Sequence, residues 1–495
     1  MKKVYGGRKL IKYLIYRMLE SVKMEKDARI HCVGIKGTGI SALAQTLAKR
    51  GCAITGSDTA EKFPTEGPLI QAGIKYNEEF SEENIDSDID LIIYSAAYTK
   101  DGNPELEKAS KLFIPMINYP EALGALSKNS FSIGISGVNG KTTTTAMCAV
   151  IARACELPAS VICGSGIASL NGSPVLCDGD KIFFAETCEY RNHFLNFFPD
   201  IVIITNVELD HTDFFPNFDS VLRSFIEYAN RLPENGKLIY CEDNSGAKTV
   251  ASRIAGIRPD LTLIPYGFNS EGDYSISKIK IENGEQSFNI GFSRDRIFRL
   301  KIPGSFNILN AVAAAAAARL SLEYIGKTPD EYIDRIARGL YEFNGTKRRM
   351  EIYGEAGGIL FIDDYGHHPT SISETLKGLK EFYSERRIII DFMPHTYSRT
   401  KALLKDFAKA FQDADLVIIN EIYASAREKT GPINGLVLCS AIKKYNENCL
   451  FLPDLESAAG FLKKKLKPGD LFISMGAGDN WKLCQQLFQY HLETA

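Results

Sequence analysis

Twice in this sequence a short β-branched run ends in a glycine-rich loop and opens into a helical pattern. Residues 30–33 lead into Gly34-Ile35-Lys36-Gly37-Thr38-Gly39-Ile40-Ser41-Ala42, and residues 131–135 into Gly137-Val138-Asn139-Gly140-Lys141-Thr142-Thr143. That setting is the signature of parallel α/β sheets, where the loop leaving a strand's carboxyl end meets the amino end of the next helix. Further strands are expected at 91–94, 181–185, 200–205, 237–240, 358–362, 387–392, 416–419 and 471–474. Helices are expected at 40–50, from Glu105, and over the alanine-rich stretch 311–318. At roughly 150 residues per domain, 495 residues suggest three domains. The expected division is a basic N-terminal extension 1–28, a Rossmann-like domain 29–122, a central phosphate-loop α/β domain 123–343, and a C-terminal Rossmann-like α/β domain 344–495.

Composition narrows the class. Hydrophobic residues are 45%, charged residues 24%, and the formal net charge is −3, so neither a disordered chain nor a nucleic-acid binder is indicated. No apolar run approaches the roughly 18 residues of a spanning helix. Eleven scattered cysteines with no C-x-x-C pair read as reduced thiols in a cytoplasmic protein. The first 23 residues carry seven basic groups against Glu20, with apolar residues at helical spacing. They read as an appendage upstream of Met24 without part in the chemistry. A membrane-surface helix is the other reading.

The second glycine loop carries the strongest chemical signal. Its backbone N–H groups and the following helix start suit phosphate, Lys141 can reach the β/γ-phosphates, and the Thr142 hydroxyl suits Mg²⁺. Ile135 stands at the first glycine position of the full phosphate-loop pattern. The first loop, read from Gly37, fits G-x-G-x-x-A with Asp58 about twenty residues on, where a ribose-binding acid would sit. Taken alone, it suits either an NAD-dependent dehydrogenase or the diphosphate of a UDP-linked substrate. Glu186 and Glu189, then Asn206, Glu208, Asp210, His211 and Asp213, follow neighbouring strands and could serve divalent ions. Asp363-Asp364-Tyr365-Gly366-His367-His368-Pro369 and His395-Thr396-Tyr397-Ser398-Arg399-Thr400 follow later strands and suit an anionic substrate.

In order from His31 to Leu483, HCVGIKGTGISALAQ, SGVNGKTTTT, AETCEYRNHF, TNVELDHTDFF, PGSFNILNA, TKRRME, DDYGHHPTS, PHTYSRT and GAGD resemble the Mur ligase family, most closely its alanine-adding branch. The resemblance implies an ATP-dependent ligase joining L-alanine to the lactyl carboxylate of UDP-N-acetylmuramate through an acyl phosphate. It implies ATP and two Mg²⁺ ions as cofactors, no nucleic-acid partner, no membrane span, and a monomer or homodimer. The first domain would bind UDP through Gly34, Gly37, Thr38, Gly39, Ser41, Asp58 and Ser95. The second would bind ATP through Gly137, Val138, Asn139, Gly140, Lys141, Thr142, Thr143, Asn307 and Asn310. Thr142, Glu186 and His211 would ligate metal, and Arg349 (with Arg348) and Asp364 would reach the nucleotide from the third domain. His368, His395 and Arg399 would face the amino acid and the reacting carboxylate. Val138 and Asn139 stand where many members carry threonine and histidine, and Thr396 where some carry arginine. A related ligase for another amino acid or a peptide is the alternative, with the dehydrogenase far behind.

Overall fold

The computed structural model describes residues 24–99, 101–282, 284–424, 428 and 430–494. The basic segment 1–23 lies outside them, and residues 25–28 pack on the first domain, where Asp27 N–H donates to the Gly51 carbonyl (2.9 Å).

Three sheets form the body, one per domain, in the α/β architecture expected. The first is all parallel, in the order Lys75–Asn77, Ala53–Ser57, Arg29–Val33, Leu91–Tyr94, Met116–Asn118. Strand order reverses between Arg29–Val33 and Leu91–Tyr94, so Gly34 and Ser95 leave adjacent strand ends at the point where such sheets open a crevice. The central sheet runs Thr262–Tyr266, Lys237–Cys241, Ile201–Ile204, Phe131–Ser136, Ile182–Glu186, Ala159–Ile162, Val175–Cys177, parallel except for its last strand. Near-continuous Ile, Val and Phe in Ile201–Ile204 and Ile182–Glu186 suit strands buried on both faces. The C-terminal sheet runs Glu351–Ala356, Ile359–Asp364, Asp470–Gly476, Arg387–Met393, Leu416–Ile419, Cys449–Phe451, with an antiparallel first strand.

The alanine-rich stretch lies in helix Ser305–Tyr324. It is the one described helix long and apolar enough to cross a membrane, and 78% of its apolar window is buried in the protein. Small side chains let it pack closely along the phosphate-loop helix Lys141–Ala154. A three-stranded antiparallel sheet, Ile276–Glu282, Glu285–Ile290 and Ser293–Leu300, lies outside the sequence expectations. Its charged outer residues (Lys280, Arg296, Arg299) obscure the alternation of its buried ones (Phe288, Ile290, Phe298).

A polar cluster is enclosed in the C-terminal core. Asn420 Nδ2 donates to Asp391 Oδ2 (3.0 Å) and the Leu452 carbonyl (3.2 Å), while Asn480 Nδ2 donates to the Met475 carbonyl (2.7 Å). Those carbonyls fix both amide orientations, leaving Oδ1 of Asp391, Asn420 and Asn480 without a partner among the described residues. Burial pushes the Asp391 carboxyl up to about 7. The folded state therefore holds this proton more tightly than the unfolded chain, and stability from this group is lost as pH rises from its unfolded value toward 7. Asp391→Asn stays neutral and supplies a donor, so urea unfolding of the two proteins should diverge by about 2–3 kcal/mol between pH 5 and pH 8, the variant holding its stability. Parallel pH curves would contradict a titrating Asp391.

Candidate active site

The phosphate loop leaves strand Phe131–Ser136 and closes at Gly140, the left-handed N-cap (φ +82°) of helix Lys141–Ala154. A Cβ on Gly140 would stand 2.6 Å from Asn310 Oδ1, and one on Gly137 (φ +136°) would strike the Thr205 hydroxyl, so both positions exclude side chains. The Thr142 hydroxyl donates to the Glu186 carboxylate (3.0 Å) at the end of the next strand. Lys141 Nζ folds back onto the Gly137 carbonyl and pairs with Glu189 Oε2 at 3.0 Å. Burial alone would lower the lysine pKa, but the Glu189 carboxylate reverses this and raises it. Glu189 also stands 3.5 Å from His211 Nε2 and is only 2% exposed. It thus joins Lys141 to His211, a link the one-dimensional pattern offered as one acid among several.

Beside this loop is a cleft lined by Asn139, Gly140, Thr143, Asn307, Asn310, Arg349 and Asp364. Asn307 Nδ2 donates to the Pro303 carbonyl (2.7 Å), and Asn310 Nδ2 to Asn307 Oδ1 (3.2 Å). Both arginines lie over the Tyr365 ring, but Arg348 braces Asp363 (3.1 Å) and the Gly476 carbonyl, while Arg349 reaches the cleft. Asp364, its pKa raised by burial, accepts from Met350 N (2.8 Å) and Gly366 N (2.6 Å). Ser371 and Phe306, which lie in the DDYGHHPTS and PGSFNILNA segments without being singled out there, also line the cleft, as does Glu374, which lies outside any motif. Val138 N donates to the Asn206 carbonyl (3.3 Å), holding the loop.

The C-terminal domain is seated on this loop. Ser371 Oγ donates to Asn139 Oδ1 (2.6 Å), Thr370 Oγ1 to Glu208 (2.7 Å), and Arg399 Nε to Asp210 (2.7 Å). Arg399 and Asp210 are almost completely buried. Against the opposing effect of burial, the guanidinium holds the Asp210 carboxyl far below the usual carboxylate range. Arg399 Nη1 also meets His395 Nδ1 at 3.2 Å, which must accept because arginine only donates. Burial and the nearby guanidinium hold His395 down to about 4, so it is neutral at pH 7. His211, Arg348, Met350 and Thr396 adopt left-handed backbone (φ +50° to +67°), which is uncommon outside glycine and gathers at such sites.

Three residues expected on the substrate side are held by bonds within the protein. His368, expected to face the amino acid, is engaged in the seam between domains. Its Nε2 meets the Leu209 carbonyl (3.2 Å), its Nδ1 accepts from Thr370 N, and it serves as N-cap of helix Pro369–Phe382 in the seam between domains. His367 instead stands against His395, ring centroids 6.1 Å apart. Asp58 is turned inward, accepting from Lys36 N (2.7 Å) and Thr59 N (2.8 Å), and braces the first glycine loop rather than lying open for a ribose. Ser41 is likewise enclosed, bonded by Gln45. Gly34, Gly37, Thr38 and Gly39 follow the end of strand Arg29–Val33, and Ser95 follows the end of the neighbouring strand Leu91–Tyr94. There a Cβ on Gly34 would stand 2.6 Å from Tyr98 and one on Gly39 2.7 Å from Tyr119.

A phosphate loop, an acid-bearing neighbouring strand and a third domain folded over both define a nucleotide-dependent three-domain α/β protein. The chain belongs to the Mur ligase family: the catalytic-domain model of that family matches residues 29–131, its middle domain 135–318, and its glutamate ligase domain 348–478. The UDP-N-acetylmuramate–L-alanine ligase of Treponema pallidum (strain Nichols) is 46% identical over 94% of this chain and 97% of its own. The enzyme of that name from Borreliella burgdorferi is 41% identical over 92% and 97%. A crystal structure of UDP-N-acetylmuramate–alanine ligase from Thermotoga maritima superposes with a TM-score of 0.75 at 25% identity, covering 94% of this chain and all of that one. The dinucleotide reading of the first glycine loop is set aside.

Proposed function

We infer that this chain is an ATP-dependent ligase that joins L-alanine to the lactyl carboxylate of UDP-N-acetylmuramate, the first peptide-building step of peptidoglycan precursor synthesis. The observation that carries the reading is the seam at which Arg399, Ser371 and Thr370 meet Asp210, Asn139 and Glu208. It brings the DDYGHHP and PHTYSRT segments onto the phosphate loop, in a chain resembling alanine ligases over nine-tenths of its length. Because it draws on ATP, the reaction belongs in the cytoplasm.

A carboxylate is a poor acyl donor at neutral pH; taking the γ-phosphoryl group of ATP, with ADP as leaving group, converts it into an acyl phosphate, which is a good one. Phosphoryl transfer needs positioning and charge neutralisation more than covalent help from the protein. The loop N–H groups and the start of helix Lys141–Ala154 receive the phosphates, with Asn139, Asn307 and Asn310 beside them. Lys141 exchanges its loop carbonyl for phosphate oxygen, and Arg349 approaches from the third domain. Among the described residues no three His, Cys, Asp or Glu side chains form a metal cage. The adjacent Thr142 hydroxyl and Glu186 carboxylate nevertheless fit Mg²⁺, which commonly takes one or two protein ligands and completes its shell with phosphate and water. Bound there, Mg²⁺ would neutralise phosphate charge; His211, beside Glu189, would serve a second ion. The alanine amine then attacks the acyl phosphate and phosphate leaves, Arg399 and neutral His395 flanking the reacting groups.

Phosphate release by the purified protein with Mg-ATP should require both UDP-N-acetylmuramate and L-alanine, with glycine and serine slower. Release that depends instead on a peptide or another amino acid would move the chain to a related ligase. Release without any sugar nucleotide would reject the reading.

A further inference from the structure

Lys36 lies in the first glycine loop, between strand Arg29–Val33 and helix Thr38–Lys49, and its side chain is 0% exposed. A buried ammonium is stable only when its N–H groups are matched by acceptors. Here four oxygens surround it: the carbonyls of Thr59 (3.0 Å) and Glu61 (3.1 Å), and the carboxylates of Glu78 (3.0 Å) and Glu66 (3.1 Å). Its backbone joins in: Lys36 N donates to Asp58 (2.7 Å), and its carbonyl accepts from the Thr65 hydroxyl (2.5 Å). The segment 59–65 is thereby tied to the glycine loop from both ends and from its middle. Residues 59–62 are themselves exposed, so their place is set by these bonds rather than by a core of their own.

The strap has a position worth holding. It leaves the carboxyl end of strand Ala53–Ser57, next to the crevice marked by Gly34 and Ser95. It is therefore fixed beside the first glycine loop, at the carboxyl end of the sheet where that loop also emerges.

We propose that Lys36 is a positioning residue for the sugar nucleotide, anchoring segment 59–65 as a wall of its pocket. The proposal rests on the reading that the first domain holds the UDP group. Three N–H bonds facing four acceptors leave Lys36 nothing to offer a ligand, so its effect passes through the strap. Loss of the ammonium frees the Thr59 and Glu61 carbonyls and lets the wall move. The phosphate loop and the Arg399 seam are untouched.

The test is steady-state kinetics of Lys36→Met in the full chain, with calorimetric titration of UDP-N-acetylmuramate in the absence of ATP. KM for the sugar nucleotide should rise tenfold or more, with a matching loss in titrated affinity. The turnover number and KM for ATP should stay within about twofold. Glu66→Gln, which weakens the anchor without removing the lysine, should move the same KM in the same direction by less, and carries the test if Lys36→Met fails to fold. A uniform loss of turnover with unchanged KM would mark Lys36 as merely structural and overturn the proposal. So would unchanged kinetics in either folded variant. Wild-type protein that neither binds nor consumes UDP-N-acetylmuramate would overturn the functional reading and this proposal together.

Discussion

Lys141→Ala should lower turnover by about a thousandfold or more, the scale on which removing one preorganised charge from a transition state is felt. The lysine has no structural duty that would account for such a loss. Its Nζ rests on loop carbonyls and on Glu189, contacts that ligand phosphates can replace. The backbone cradle and the left-handed Gly140 persist in the variant, so nucleotide affinity should fall far less than turnover. Glu189 loses one partner but keeps His211 at 3.5 Å, and the thermal midpoint should move by only a few degrees. Rapid-quench measurement of phosphate release, with ADP binding as the control, separates the two effects. A variant within tenfold of the wild-type rate would remove Lys141 from the phosphoryl-transfer step.

The second large effect is expected at the seam. Arg399→Ala strands Asp210, a carboxylate about 5% exposed whose ionisation depends on that guanidinium. Breaking a buried pair from one side typically costs about 3–5 kcal/mol, because the remaining charge is left without compensation. The protein can escape most of this by letting the third domain lift, which rehydrates Asp210. The expected result is therefore an opened molecule with a larger radius of gyration in solution scattering, and a fall in kcat/KM of about a hundredfold or more, the kinetic cost of losing preassembled groups. Arg399→Lys should recover little, since a point charge cannot reproduce a fork shared between Asp210 and His395. The double variant Arg399→Met with Asp210→Leu should regain closure but not activity. Unchanged scattering and unchanged rate in Arg399→Ala would mean the seam is not what assembles the site.

How much of this is legible in the sequence depends on distance along the chain. Strand ends at Val33, Ser136, Glu186 and Asp364, and the loops leaving them, are set by neighbouring residues: β-branched runs, glycines able to take positive φ, and a helix start. The expectation for Lys141, Thr142 and Glu186 follows from that local grammar. The two histidines of the DDYGHHP segment show its limit. Adjacent residues on a loop point apart, and only the placement of Leu209 and His395 tells which ring enters the seam and which stands against His395. Asp58 escapes the local reading for the same reason. Its distance from the glycine loop suits a ribose acceptor, but Lys36 N and Thr59 N satisfy it from within.

From the sequence alone came three α/β domains, two glycine loops at strand ends, and the chemistry those loops can perform, because each is a short-range consequence of backbone geometry and polarity. Tertiary structure decided the Asp210–Arg399 pair across 189 residues, the Asn139–Ser371 bond across 232, and the strap held by Lys36. Those depend on which distant side chains burial forces together, and a buried charge or amide accepts only the partner that packing brings within reach.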